Sequence, residues 1–223
     1  MPFNDRKDAG SRLAQALARY KERTPVILAL PRGGVPVAAE IAAALEAPLD
    51  LLLVRKIGVP AQPELAMGAI VDGADPLTVR NEDVIAMAHI SEKTFAEVQA
   101  RELAEIARRH QRYLGDRPPA GIEGRTAIVV DDGIATGATT RAALRATRLR
   151  KPAALVLAVP VAPTETIEAL RGETDDIVCL EQYADFGAIG FYYADFRQIA
   201  DEEVIEILSR FPPTAGTPPP PPV

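Results

Sequence analysis

The chain has 223 residues, 48% of them hydrophobic and 25% charged, enough apolar material for one sizeable core and too much for global disorder. A net charge of −6 and a pI near 5.1 argue against electrostatic capture of nucleic acid. No apolar run approaches the roughly 18 residues of a membrane span, and MPFNDRKDAG puts charges where a signal peptide needs its apolar segment.

A single cysteine, Cys179, leaves no disulfide framework and fits a reducing, cytoplasmic setting. With two histidines, His89 and His110, a zinc site is not expected, and neither histidine is given a role.

Hydrophobic periodicity places an amphipathic helix at residues 8–22, an apolar strand at 26–30, an alanine-rich helix at 37–45 and a second strand at 49–54. Pro31-Arg32-Gly33-Gly34 ends the first strand. Residues 55–67 hold Gly58, Pro60 and Pro63 and read as a mobile loop. Short strands at 68–71 and 77–80 precede the longest helical pattern, 91–114, with Ser91 as N-cap and Gly115 with Pro118-Pro119 as the stop. Residues 74–121 therefore read as a helical insertion, a lid, an oligomer contact or both. Alternation resumes with a strand at 127–130, a helix at 138–149, a strand at 154–159, a helix at 164–170, a strand at 177–180, an aromatic stretch at 183–196 and a closing helix at 201–208. Strands alternating with helices predict an α/β fold, a parallel sheet flanked by helices through right-handed crossovers. Residues 1–211 form one domain in this reading. The proline-rich tail 212–223 cannot pack a core and reads as disordered or polyproline II.

The stretch VVDDGIATGATT, residues 129–140, carries the chemistry. Asp131 and Asp132 fall where a strand ends, and Ala135, Thr136, Gly137, Ala138, Thr139 and Thr140 lead into a helix. Small residues let backbone amides converge on one group, and the helix N-terminus adds partial positive charge, a phosphate cradle without lysine. Carboxylates repel phosphate, so the acid pair suits hydroxyl donors or a metal. A phosphate on the loop and a diol on the acids describe a ribose 5-phosphate. Neither a P-loop nor a dinucleotide fingerprint is present.

This stretch closely resembles the phosphoribosyl pyrophosphate (PRPP) loop of type I phosphoribosyltransferases, and the element order over roughly residues 1–210 is similar to the bacterial predicted phosphoribosyltransferases. The resemblance implies a phosphoribosyltransferase-type sheet with a small C-terminal hood, and transfer from PRPP to a nitrogen acceptor, a nucleobase by class. It implies Mg²⁺ as cofactor near Asp131 and Asp132, directly or through water, with the same two acids on the ribose hydroxyls and residues 135–140 on the 5-phosphate. Ala135 stands where many members carry an acid.

Leu30-Pro31-Arg32-Gly33-Gly34 resembles the family's pyrophosphate loop, which often holds an unusual cis peptide bond. Arg32, Gly33 and Lys56 are the implied pyrophosphate contacts, with Arg55 expected on the opposite face of its strand because strand side chains alternate. Glu64, the only acid of residues 57–67, is the candidate base. Phe186 is the implied base-stacking ring, preceded by Asp185 where hypoxanthine-guanine members carry lysine. The resemblance also favours a homo-oligomer. The competing reading is a PRPP- or nucleotide-sensing module without turnover.

Overall fold

The computed structural model describes residues 1–72 and 76–211, and of Glu64 the backbone alone. The tail 212–223, residues 74 and 75 of the expected insertion, and the Glu64 side chain lie outside the described residues.

Five strands form the parallel sheet: β1 (Val26–Ala29), β2 (Leu49–Leu51), β6 (Thr126–Val130), β7 (Ala154–Pro163) and β8 (Asp176–Tyr183), in the order β2-β1-β6-β7-β8. Every neighbouring pair in it is parallel. Side chains alternate between two cores, as the period of two in a strand demands. Ile27, Ile128 and Val156 face helices α1 (Arg6–Ala16), α2 (Gly34–Leu45) and α7 (Asp201–Ser209). Leu28, Val129 and Leu155 face α5 (Ala138–Leu149) and α6 (Thr164–Leu170).

Helix α2 starts three residues before its expected start at residue 37. Pro36 interrupts the apolar pattern there, yet the first turn of a helix needs no internal N–H donor, so proline fits. The first helix stops at Ala16 and continues as a 3₁₀ turn, Ala18–Arg23.

The largest departure is at residues 55–67. Instead of a mobile loop, they belong to an antiparallel sheet of β3 (Val54–Val59), β4 (Gln62–Val71) and β5 (Leu77–Arg80). A bulge around Gly58, whose Cα packs close under the Pro63 carbonyl, absorbs the proline that a regular ladder would reject. Ile57, Val59, Met67 and Ile70 then bury against Ile85 of α3 (Glu82–Met87) and Phe95, Val98 and Ile106 of α4 (Glu92–Tyr113). Ser91 caps α4 by accepting the Thr94 N–H, as expected, and Gly115 beyond its end has φ +55°. Helix α5 lies against β3, β4 and β5, so it is covered by the large sheet on one side and the small sheet on the other.

Phe3 from the N-terminus and Tyr193 from the C-terminal region are fully buried with Val161, and Phe186, Ile189, Tyr192 and Phe196 pack around them. This aromatic group forms the expected hood over the β7 and β8 ends.

The small sheet has its own core, so it should loosen independently. Phe95→Ala, at a cost of about 3–5 kcal/mol, is expected to speed amide exchange across residues 54–113 while β1, β6 and β7 keep their protection. Equal acceleration in both sheets, read by exchange mass spectrometry, would mean that the two cores open as one.

Candidate functional site

From β1 the chain moves outward to β2, and the sheet is extended on the other side by β6. The loops after β1 and β6 therefore diverge and leave a crevice at the carboxyl end, where open α/β sheets bind ligands. The two loops touch. Leu30 N–H donates to the Val130 carbonyl at 2.9 Å, and the Pro31–Arg32 peptide is cis. Gly33 lies so closely against the Asp132 carboxylate that a Cβ there would overlap Oδ2. No larger residue fits without moving Asp132.

The two acids differ in surroundings. Asp132 is buried, and its Oδ2 accepts from Arg6 Nε at 2.8 Å. Arg6 also donates to the Arg197 carbonyl at 2.9 Å and lies 4.0 Å over the Phe196 ring. The buried Tyr193 hydroxyl, pushed well above its usual pKa mainly by desolvation, donates to the Asp132 carbonyl at 2.6 Å. Asp132 thus has its charge matched inside the protein. Asp131 is half-buried, accepts the Asp132 N–H at 2.9 Å, and forms no ion pair among the described residues. Desolvation first, and then the neighbouring carboxylate, hold its pKa well above the usual range.

Beyond the acids the loop turns outward. Ala135, Thr136, Ala138 and Thr139 are exposed, whereas the Thr140 side chain is buried. Gly137, at φ +75°, is the N-cap of α5 and supplies no side-chain cap, so the first-turn amides have no internal side-chain acceptor there. The turn is fixed from behind: Thr166 donates to the Ala135 carbonyl at 2.8 Å and Ile134 N–H to the Val161 carbonyl at 3.0 Å. Fixed amides at a helix N-terminus suit an anion.

The expected diphosphate contacts Arg32 and Lys56 stand on different elements. Arg32 lies 3.6 Å from Asp201, which also pairs with Arg112 at 2.8 Å and accepts from Tyr113; that last bond does most to hold the Asp201 pKa low. Lys56 lines a cleft of about 550 Å³ with Arg55, Pro60 and Thr139. Arg55 also lines this cleft, and Glu102 of α4 holds its guanidinium through two bonds of 2.8 and 2.6 Å, on the helix against which Ile57, two residues further along the strand, is buried. Phe186 stacks on Tyr192 at 4.9 Å, Tyr192 stacks on Tyr183 at 4.7 Å, and Phe186 lines an open cleft with Ala135 and Thr136.

No group of three His, Cys, Asp or Glu gathers as a metal site among the described residues. A divalent cation fits beside Asp131 when a bound molecule brings further oxygens, the usual way Mg²⁺ is held with phosphates.

The family model described as "Phosphoribosyl transferase domain" matches residues 4–195, which include both loops. The chain belongs to the phosphoribosyl transferase family. A Mycobacterium tuberculosis protein, named provisionally as a phosphoribosyl transferase in strains CDC 1551 and H37Rv, is 47% identical over 208 residues, 93% of this chain and 46% of the relative. The chain thus spans about half the length of the curated relatives it matches. The crystal structure of TT1426 from Thermus thermophilus superposes with a TM-score of 0.84 at 40% identity, over 95% of this chain and all of that one. No helix among the described residues is long and apolar enough to cross a membrane.

Sequence reasoning missed Arg6, Tyr193 and Glu102. Their contacts join residues 126, 61 and 47 positions apart, and no local pattern announces them.

The raised Asp131 pKa has a testable sign. A carboxyl whose folded pKa exceeds its unfolded value contributes stability below the unfolded value and loses it as pH rises through the folded one. The wild type is therefore expected to carry at neutral pH a destabilisation that Asp131→Asn removes, while the new side chain can still accept the Asp132 N–H. The ligand-free variant is expected to melt above the wild type at pH 8, with the margin shrinking as pH falls through the folded pKa. Calorimetry showing no gain at pH 8 would contradict this.

Proposed function

We propose that the protein transfers the 5-phosphoribosyl group of PRPP to a nitrogen acceptor, a nucleobase by class, and releases pyrophosphate. One arrangement carries the reading: the exposed amide turn at residues 135–139 and the unmatched carboxylate of Asp131 stand on the loop after β6, and Arg32 stands on the loop after β1 that touches it. They offer in turn an anion cradle, a partner for hydroxyls or a cation, and a grip on a second anion. Family membership supports the same chemistry.

In the reaction the C1–O bond breaks and its electron pair leaves with the diphosphate. The acceptor nitrogen's lone pair closes the C1–N bond, and the nitrogen's proton passes to the candidate base Glu64 or, failing that, to solvent. Positive charge grows on the ribose ring, so the residues bind, orient and match charge rather than attack. Residues 135–140 hold the 5-phosphate, the α5 amides doing most of it. Asp131 and Asp132 orient the ribose hydroxyls, with Asp132 fixed by Arg6. Arg32, Gly33 and Lys56 take the diphosphate.

Asp131 is the protein carboxylate that would hold Mg²⁺ beside PRPP, directly or through water, and the ion would supply neutralisation of the diphosphate charge. Phe186 presents the acceptor with a ring already braced by Tyr192. The hairpin of β3 and β4 excludes water from the crevice. Glu64, on that hairpin, is the candidate base. A cytoplasmic homo-oligomer completes the proposal.

The alternative, PRPP sensing without turnover, draws on Ala135 standing where many relatives carry an acid. One plate separates the two. PRPP with Mg²⁺ at 100 times its Kd is expected to raise the melting temperature by roughly 5–10 °C, from ~2.7 kcal/mol of linkage in a chain of this size. A nucleobase panel then reads pyrophosphate release. Stabilisation without release from any base favours the sensor, and no stabilisation refutes both readings. Asp131→Asn is expected to lose the Mg²⁺-dependent part of the shift.

A further inference from the structure

Between the two loops and α4 lies a small cavity of about 70 Å³, an annex of the cleft that holds Lys56. Val54, Arg55 and Thr139 line both. The annex is also lined by Pro31, Asp131 and, from α4, Ile106 and Arg109. Its charged members are therefore two guanidiniums and one carboxylate, drawn from the small sheet, the insertion helix and the β6 loop.

The arginines are held from behind. Glu102 and Glu105 are three residues apart on α4 and so lie on one side of it. Glu102 grips Arg55 through Nε and Nη2, and Glu105 accepts from Arg109 Nε at 2.8 Å. Ile106, 1% exposed, fixes this face of the helix. Both terminal nitrogens of Arg109 make no hydrogen bond among the described residues. A plain surface pair at i and i+4 would leave the Arg109 side chain in solvent, but it is 33% exposed and lines a cavity shared with Asp131. Free guanidinium donors, pre-set by a carboxylate and aimed beside a cation-seeking acid, suit a phosphoryl oxygen.

We propose that Arg109, with Arg55 beside it, binds the diphosphate of the sugar ligand, so that the helical insertion completes the site. This rests on the PRPP reading above and adds to it a contact that neither loop supplies. It also assigns the insertion a ligand contact in place of mere cover.

Calorimetric titration of the full chain with PRPP and, separately, with ribose 5-phosphate, each with Mg²⁺, tests it. Arg109→Ala is expected to weaken PRPP binding about 10- to 100-fold and to leave ribose 5-phosphate within about twofold, because that ligand has no diphosphate. Arg109→Lys should recover part of the loss. Glu105→Gln, which keeps the guanidinium but loosens it, should fall between, and serves if Arg109→Ala fails to fold. Unchanged PRPP affinity in Arg109→Ala or Glu105→Gln, or equal losses for both ligands, overturns the assignment. A wild type that binds ribose 5-phosphate but not PRPP overturns it too, and one that binds neither takes the PRPP reading down with it.

Discussion

The packing of Gly33 against the Asp132 carboxylate is the contact on which the crevice depends. It requires a residue without a Cβ on the β1 loop and fixes where the β6 loop can lie. It also turns the Asp132 carboxylate toward Arg6, which bonds to the Arg197 carbonyl and stacks on Phe196. One close approach thus couples both loops, the first helix and the aromatic hood. Removing one partner of such a buried pair is far costlier than removing both, because it leaves a charge without water or counter-ion.

Matching Asp132 internally leaves its neighbour unmatched. Two adjacent carboxylates in a desolvated crevice cannot both be comfortable, and among the described residues a single cation, Arg6, pairs with them. The resulting asymmetry separates the roles: one acid holds the loop in shape, and the other is held in a state that a ligand can relieve.

Much of this was legible in the sequence. The alternation of apolar strands and helices, the Ser91 cap and the α5 bounds from 138 to 149 follow from local chemistry, and so does the loop between Asp131 and Thr140. The cis bond after Pro31 follows from resemblance. The hairpin of β3 and β4 did not show, because Gly58, Pro60 and Pro63 read as loop residues. Only the bulge, together with a partner surface on α4, makes their strand pattern count. The partner of Arg55 was not legible for a related reason. Alternation along a strand sets the direction of Cβ, but a long guanidinium goes where its carboxylate is, and Glu102 lies 47 residues away.

Phe3 donates its N–H to the Tyr192 carbonyl and accepts from Ala194 N–H, and the next residues lead directly into Arg6. The first six residues are thus a splint laid across the hood and pinned to the crevice. A fragment cut just after Arg6 would retain the whole parallel sheet and both loops. It would lack the cation that keeps Asp132 in place, so its outline would survive while the crevice lost its inner wall.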